Sequence, residues 1–271
     1  MKTKDGAIIY YEDHGSGQPI LLVHGWNCST KFWQRNVPEL SKQFRVVTLD
    51  LRGHGNSSKI LTGHTISQYA SDVRALIEHL GLDDVTLAGW SLGGPVVLSY
   101  YEQFRDDSRL KALGLVDANP FPFNPADWND HTLKNYNYEG MNATFREYMD
   151  DPRKFEAGRA AKMFKDGKVT DSDLEWVSAE LNKTPVWIGV AAYSDYLMTD
   201  YAHVLPTLRI PVIVFASSSE GHKTGIEVGK SIAAQIPNST FVRFEGAGHI
   251  LFYEQPEKFN QALIDFIRKN T

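Results

Sequence analysis

Gly89-Trp90-Ser91-Leu92-Gly93 stands between an apolar run, Val85-Thr-Leu-Ala-Gly89, and a segment that opens a helix, Gly93-Gly-Pro-Val-Val-Leu-Ser-Tyr-Tyr. A strand that turns abruptly into a helix forces its junction residue into a strained backbone conformation, and side chains two positions either side would collide. Glycines at 89 and 93 meet that demand. Such a turn pushes the Ser91 hydroxyl over the carboxyl edge of a sheet, and the helix start places free N–H groups and partial positive charge beside it. The five-residue pattern says little alone; the strand before it and the helix after it make Ser91 a candidate nucleophile.

The rest of the chain supplies a sheet for that turn. Pro19-Ile-Leu-Leu-Val-His24 and Phe44-Arg-Val-Val-Thr-Leu-Asp50 are short apolar runs that end in glycine-bearing loops, and Leu110-Lys-Ala-Leu-Gly-Leu-Val-Asp117 is another. An alternating stretch, Ala7-Ile-Ile-Tyr-Tyr-Glu12, reads as an early strand. Ile66 to Leu80 has apolar residues at helical spacing and a glycine stop at Gly81. Phe32 to Leu40 also has helical spacing, with Pro38 either kinking it or lying near its start. Strands alternating with helices predict a mostly parallel sheet covered on both faces. From Asn119 to about Pro206 the chain is helical and aromatic-rich, and strands resume at Ile210 and Ser239 before a last helix from Glu257 to Arg268. The expected division is a core of residues 1–120 and 207–271 with a helical cap insertion at 121–206.

Bulk composition excludes several classes. The 271 residues carry a net charge of -5 with no basic cluster interleaved with aromatics, so a nucleic acid partner is not expected. No apolar stretch has the length of a bilayer span, and residues 1–12 show no signal region, so a cytoplasmic location and no membrane partner are expected. The single cysteine, Cys28, reads as an ordinary small apolar residue.

A serine hydroxyl needs a base within hydrogen-bond reach. Of nine histidines, His249 is best placed, in Glu245-Gly-Ala-Gly-His249 after the last strand, on a loop at the same carboxyl edge as Ser91. His24 and His54 border the site from other loops and read as loop-bracing groups.

At this point the chain resembles the α/β-hydrolase superfamily, in particular its capped esterase and non-haem chloroperoxidase-like branch. The resemblance rests on His24-Gly25-Trp26, Asp50-Leu-Arg-Gly-His-Gly-Asn-Ser57, Gly89-Trp-Ser-Leu-Gly-Gly94, Asp200-Tyr201 with Leu205 before Ile210-Pro211, and Gly246-Ala-Gly-His249, in the family's order. It implies an α/β-hydrolase fold, with Trp26 and Leu92 donating backbone N–H groups to an oxyanion; the Trp26 indole either shapes the acyl pocket or packs in the core. The triad acid usually follows the first strand after the cap as Gly-x-x-Asp. Here that stretch reads Ser217-Ser-Ser-Glu220, making Glu220 the first candidate acid and Asp117, at an earlier strand end, the alternative, with Asp195 and Asp200 behind them.

The resulting expectation is a carboxylic ester hydrolase (EC 3.1.1) working through an acyl-enzyme on Ser91, with a small or medium uncharged ester, lactone or thioester as substrate. A chloroperoxidase-like relationship implies perhydrolysis by the same triad. No cofactor and no metal are expected, and the chain is expected to be a monomer or homodimer. Two other readings compete: a ligand receptor on this fold with little turnover, and a cofactor-free oxygenase that uses His249.

Overall fold

The computed structural model describes residues 1–105, 107–123, 137–165, 169–218 and 225–270. Its centre is a seven-stranded sheet built from β1 (Tyr11–Gly15), β2 (Pro19–Val23), β3 (Arg45–Leu49), β4 (Val85–Trp90), β5 (Leu110–Val116), β6 (Val212–Ser217) and β7 (Ser239–Phe244). The spatial order is β1-β3-β2-β4-β5-β6-β7, with β1 antiparallel to β3 and every other pairing parallel.

The central strands read as continuous apolar runs because both faces are covered. Leu21, Val23, Leu87 and Leu113 point into one core, shared with α2 (Ile66–Leu80), α3 (Gly93–Gln103) and α8 (Gly225–Ala234). Ile20, Leu22, Ala88 and Ala112 point into the other, shared with α1 (Val37–Leu40), α9 (Leu251–Glu254) and α10 (Pro256–Lys269). Each fully buried aliphatic side chain contributes roughly 1.5–3 kcal/mol, so both layers are held firmly to the sheet. α2 shows how local sequence sets an element: the Thr65 hydroxyl accepts from the Gln68 N–H at 3.2 Å, and Gly81 ends the helix at φ 59°. Pro38 sits in the first turn of α1, after a separate 3₁₀ turn at Thr30–Trp33, and does not kink a longer helix.

The first strand begins later than its alternation predicts. Residues 7–9 fold back on the N-terminus, with Thr3 donating to the Ala7 carbonyl at 2.8 Å and Ile9 to the Met1 carbonyl at 2.8 Å. Tyr10 then donates its N–H to Ser57 Oγ at 2.9 Å, so pairing with β3 starts only at Tyr11.

Between β5 and β6 the described chain forms α4 (Tyr138–Asp150), α5 (Pro152–Met163), α6 (Asp171–Leu181) and α7 (Val186–Met198). Trp128 and Tyr136, two aromatics of this stretch, lie outside the described residues. No described helix is long and apolar enough to cross a membrane.

Parallel strands end at one edge, so the loops after β2, β4, β5, β6 and β7 converge there. The loop after β3 is braced from below: Arg52 is fully buried and grips Asp72 with two hydrogen bonds of 2.8 Å, and it also pairs with Asp5. Removing one partner of a buried pair strands the other charge. Asp72→Ala should therefore lower unfolding stability by about 3 kcal/mol, read as a fall in urea midpoint at unchanged m-value.

Candidate active site

Ser91 occupies the turn between β4 and α3 at φ 54°, the left-handed region that a non-glycine residue enters only under constraint. Its N–H donates to the Val116 carbonyl at 3.0 Å, and its carbonyl accepts from Gly94 at 2.9 Å. The flanking glycines are required by space. A Cβ on Gly89 would fall on the Gly93 carbonyl, and one on Gly93 would lie 2.7 Å from the Val23 carbonyl. Gly25, after β2, lies against the serine: a Cβ there would be 3.1 Å from Ser91 Cβ and 3.5 Å from its Oγ.

The residue before Ser91 reaches His249. The Trp90 indole donates to the His249 carbonyl at 3.0 Å, and the two rings lie 5.3 Å apart. His249 is buried, and its Nδ1 lies 2.6 Å from Asp117 Oδ2. A carboxylate oxygen only accepts, so Nδ1 carries a proton, and in the neutral ring Nε2 is the nitrogen left with the lone pair.

Asp117 follows β5 at φ 42° and is itself fixed, with its N–H bound to the Phe215 carbonyl at 2.8 Å. Its carboxylate accepts from the Ser217 N–H at 2.9 Å and the Ser217 hydroxyl at 3.0 Å. Asp117, the alternative acid considered from sequence, is thus in contact with the imidazole. Glu220 lies outside the described residues. Asp195 accepts from the Ile66 N–H at 2.7 Å, and Asp200 from the Ala202 N–H at 2.7 Å. Ser217 was not foreseen as a site residue. Its signal was the serine found where the family pattern has glycine, which a carboxylate-holding hydroxyl explains.

Among the described residues the N–H groups of Trp26 and Leu92 have no hydrogen-bond acceptor. His24 sets the direction of the first. Its Nε2 accepts from the Leu51 N–H at 2.9 Å, so its proton is on Nδ1, which donates to the Gly25 carbonyl at 2.7 Å. Cys28 N–H donates to the same carbonyl at 3.1 Å. The Gly25 carbonyl shares a peptide plane with the Trp26 N–H, so pinning one aims the other. The Trp26 indole is engaged by the helical segment: Nε1 donates to the Gly189 carbonyl at 2.9 Å, and Tyr193 stacks on the ring at 3.9 Å. Tyr148 and Phe155 meet the same ring edge-on. Trp176 packs on Phe32 and Tyr253, while Trp187 lies against His64. No three His, Cys, Asp or Glu side chains converge as a metal site among the described residues.

Complete burial pushes the His24 pKa down to about 4, and burial likewise holds His54 well below its ordinary value. The unfolded chain protonates His24 near 6.5, so between pH 6.5 and about 4 the unfolded state binds the extra proton. The contribution of neutral His24 is full above pH 6.5 and is lost as the pH falls toward 4, by about 3 kcal/mol. In urea unfolding measured across that window, His24→Gln should show a shallower acid decline than the parent.

The comparisons agree with this architecture. Residues 18–256 match the family model described as alpha/beta hydrolase fold. A non-heme chloroperoxidase of Streptomyces lividans is 29% identical over 280 residues, covering 99% of each chain. A bifunctional esterase/perhydrolase of Acinetobacter calcoaceticus is 28% identical over 276 residues, again covering 99% of each. The crystal structure of a bromoperoxidase from Bacillus anthracis superposes with a TM-score of 0.91 at 27% identity, covering 98% of this chain and 97% of that one. With a mostly parallel sheet, a left-handed serine after β4 and a family match across most of its length, this chain belongs to the alpha/beta hydrolase fold family.

Proposed function

We propose that this hydrolase cleaves uncharged carboxylic esters through an acyl-enzyme on Ser91, with His249 as base and Asp117 as the acid that orients it. The observation that carries the proposal is the 2.6 Å contact between His249 Nδ1 and Asp117, held at the sheet edge where Ser91 turns. It favours Asp117 over Glu220, the residue that the family's usual spacing suggests.

In this reading His249 Nε2 takes the Ser91 proton as Oγ attacks the ester carbonyl carbon. The carbonyl π electrons move to oxygen, and the N–H groups of Trp26 and Leu92 receive the oxyanion. Collapse expels the alcohol oxygen, which takes the proton from His249, and leaves the acyl group on Ser91. Water then repeats the cycle, giving a carboxylic acid and free Ser91. Asp117 stays ionised throughout and stabilises the imidazolium. Helices α4 to α7 act as a cap, in a chain organised as a core of 1–120 and 207–271 with an insertion at 121–206. Its aromatics around Trp26, chiefly Tyr148, Phe155 and Tyr193, suit an apolar acyl or alcohol group.

The relative described as a bifunctional esterase/perhydrolase supports a second outcome from the same intermediate. Hydrogen peroxide in place of water would attack the acyl-enzyme to give a peracid, returning the proton through His249 to Ser91.

With short p-nitrophenyl esters, Ser91→Ala should abolish multiple turnover. Asp117→Asn should lower kcat by roughly 10⁴-fold, while Glu220→Gln stays within about threefold of the parent. A mild Asp117→Asn beside a crippled Glu220→Gln would overturn the acid assignment. Turnover retained in Ser91→Ala would favour the oxygenase reading. Tight ligand binding with negligible turnover in the parent would favour a receptor.

A further inference from the structure

The turn that carries the Trp26 amide is held from two directions, and the second belongs to the helical insertion. Arg159 of α5 donates from Nη2 to the Trp26 carbonyl at 3.1 Å, and its guanidinium lies 4.6 Å from the Trp26 ring centre. Its Nε pairs with Glu156 Oε2 at 2.7 Å, and Glu156 Oε1 accepts from the Asn27 amide at 2.6 Å. Asn27 is buried at φ 56°, and the same amide nitrogen reaches the Tyr148 hydroxyl at 2.9 Å. The two peptide planes flanking the Trp26 Cα are thus both pinned: the Gly25 carbonyl by His24 and the Cys28 N–H, the Trp26 carbonyl by Arg159 and, at 3.2 Å, by the Cys28 thiol. Together they determine where the Trp26 N–H points.

The far end of the same helix meets the histidine loop. Ile250 donates to the Met163 carbonyl at 3.3 Å, Lys165 N–H donates to Glu254 at 3.0 Å, and a Cβ on Gly248 would lie 2.5 Å from the Met163 carbonyl. α5 therefore spans from the oxyanion turn to the loop of His249. Stability alone does not explain a charged pair in this position. Glu156 is fully buried, and apolar side chains of equal volume commonly replace such pairs at no loss. What an apolar pair could not do is hold a backbone carbonyl in one orientation.

We propose that Arg159 and Glu156 are positioning residues for the oxyanion turn, so that the insertion sets the rate of the chemical step as well as covering the site. The proposal rests on the acyl-enzyme reading above. A donor aimed at charge that develops only in the transition state affects kcat, with little effect on substrate binding.

Two variants test it: Arg159→Lys, which keeps an ion pair with Glu156 but loses the guanidinium bridge to Trp26, and the apolar double variant Glu156→Leu/Arg159→Met. With p-nitrophenyl acetate both should lose about tenfold or more in kcat while KM stays within about threefold. Affinity for phenylboronic acid, whose adduct with Ser91 is tetrahedral, should fall in step with kcat/KM. The thermal midpoint of Arg159→Lys should stay near that of the parent, which separates positioning from folding. Arg159→Lys carries the test alone if the double variant does not fold. Unchanged kcat in folded variants, or a raised KM at parental kcat, overturns the proposal. Turnover that survives Ser91→Ala would instead overturn the acyl-enzyme reading beneath it.

Discussion

The backbone conformation of Ser91 governs the arrangement around it. At φ 54° the serine, with Leu92, turns β4 into α3 within two residues, and this brings the helix start so close to the sheet that glycine is needed at 89, 93 and 94. The same closeness brings the end of β2 against the serine, where Gly25 leaves room for the side chain. A left-handed non-glycine residue costs roughly 1–2 kcal/mol, so the conformation persists only where neighbouring contacts outweigh that cost. Here the Ser91 N–H is tied to Val116, the residue before Asp117. The turn and the carboxylate that meets His249 therefore share one anchor.

Strain is concentrated at this edge. Of the four described non-glycine residues with positive φ, Asn27, Ser91 and Asp117 lie at the converging loops. Each is fixed by hydrogen bonds to other elements: Asn27 to α4 and α5, Ser91 to β5, Asp117 to β6. The backbone is thus prepared before any ligand arrives, which is what preorganised electrostatic stabilisation requires. His24 belongs to this preparation through its neutral, fully assigned tautomer, with one nitrogen accepting and the other donating.

The motif Asp50-Leu-Arg-Gly-His-Gly supports the site without entering it. Asp50 accepts from the Thr30 and Asn56 N–H groups at 2.6 Å each, joining the loops after β2 and β3. Arg52 carries the buried pair with Asp72, and His54 packs beside His24 at 5.4 Å. Loop bracing, read for His24 and His54 from their position in the chain, is what these contacts do.

Amino-acid order alone was enough for the alternation of strands and helices, the Gly89-to-Gly93 turn and the histidine on the last loop. Each depends on short-range rules: apolar runs, helical spacing, and glycine where a Cβ has no space. The partner of His249 did not follow from order, because the sequence offers an acid after each of two strands, and it is the pairing of β5 with β6 that brings Ser217 onto Asp117, whose carboxylate meets the imidazole. The reach of Arg159 and Glu156 to residues 26 and 27 was equally hidden. They lie more than a hundred residues away in an ordinary-looking helix, and only tertiary packing decides which backbone carbonyl a partly buried guanidinium meets.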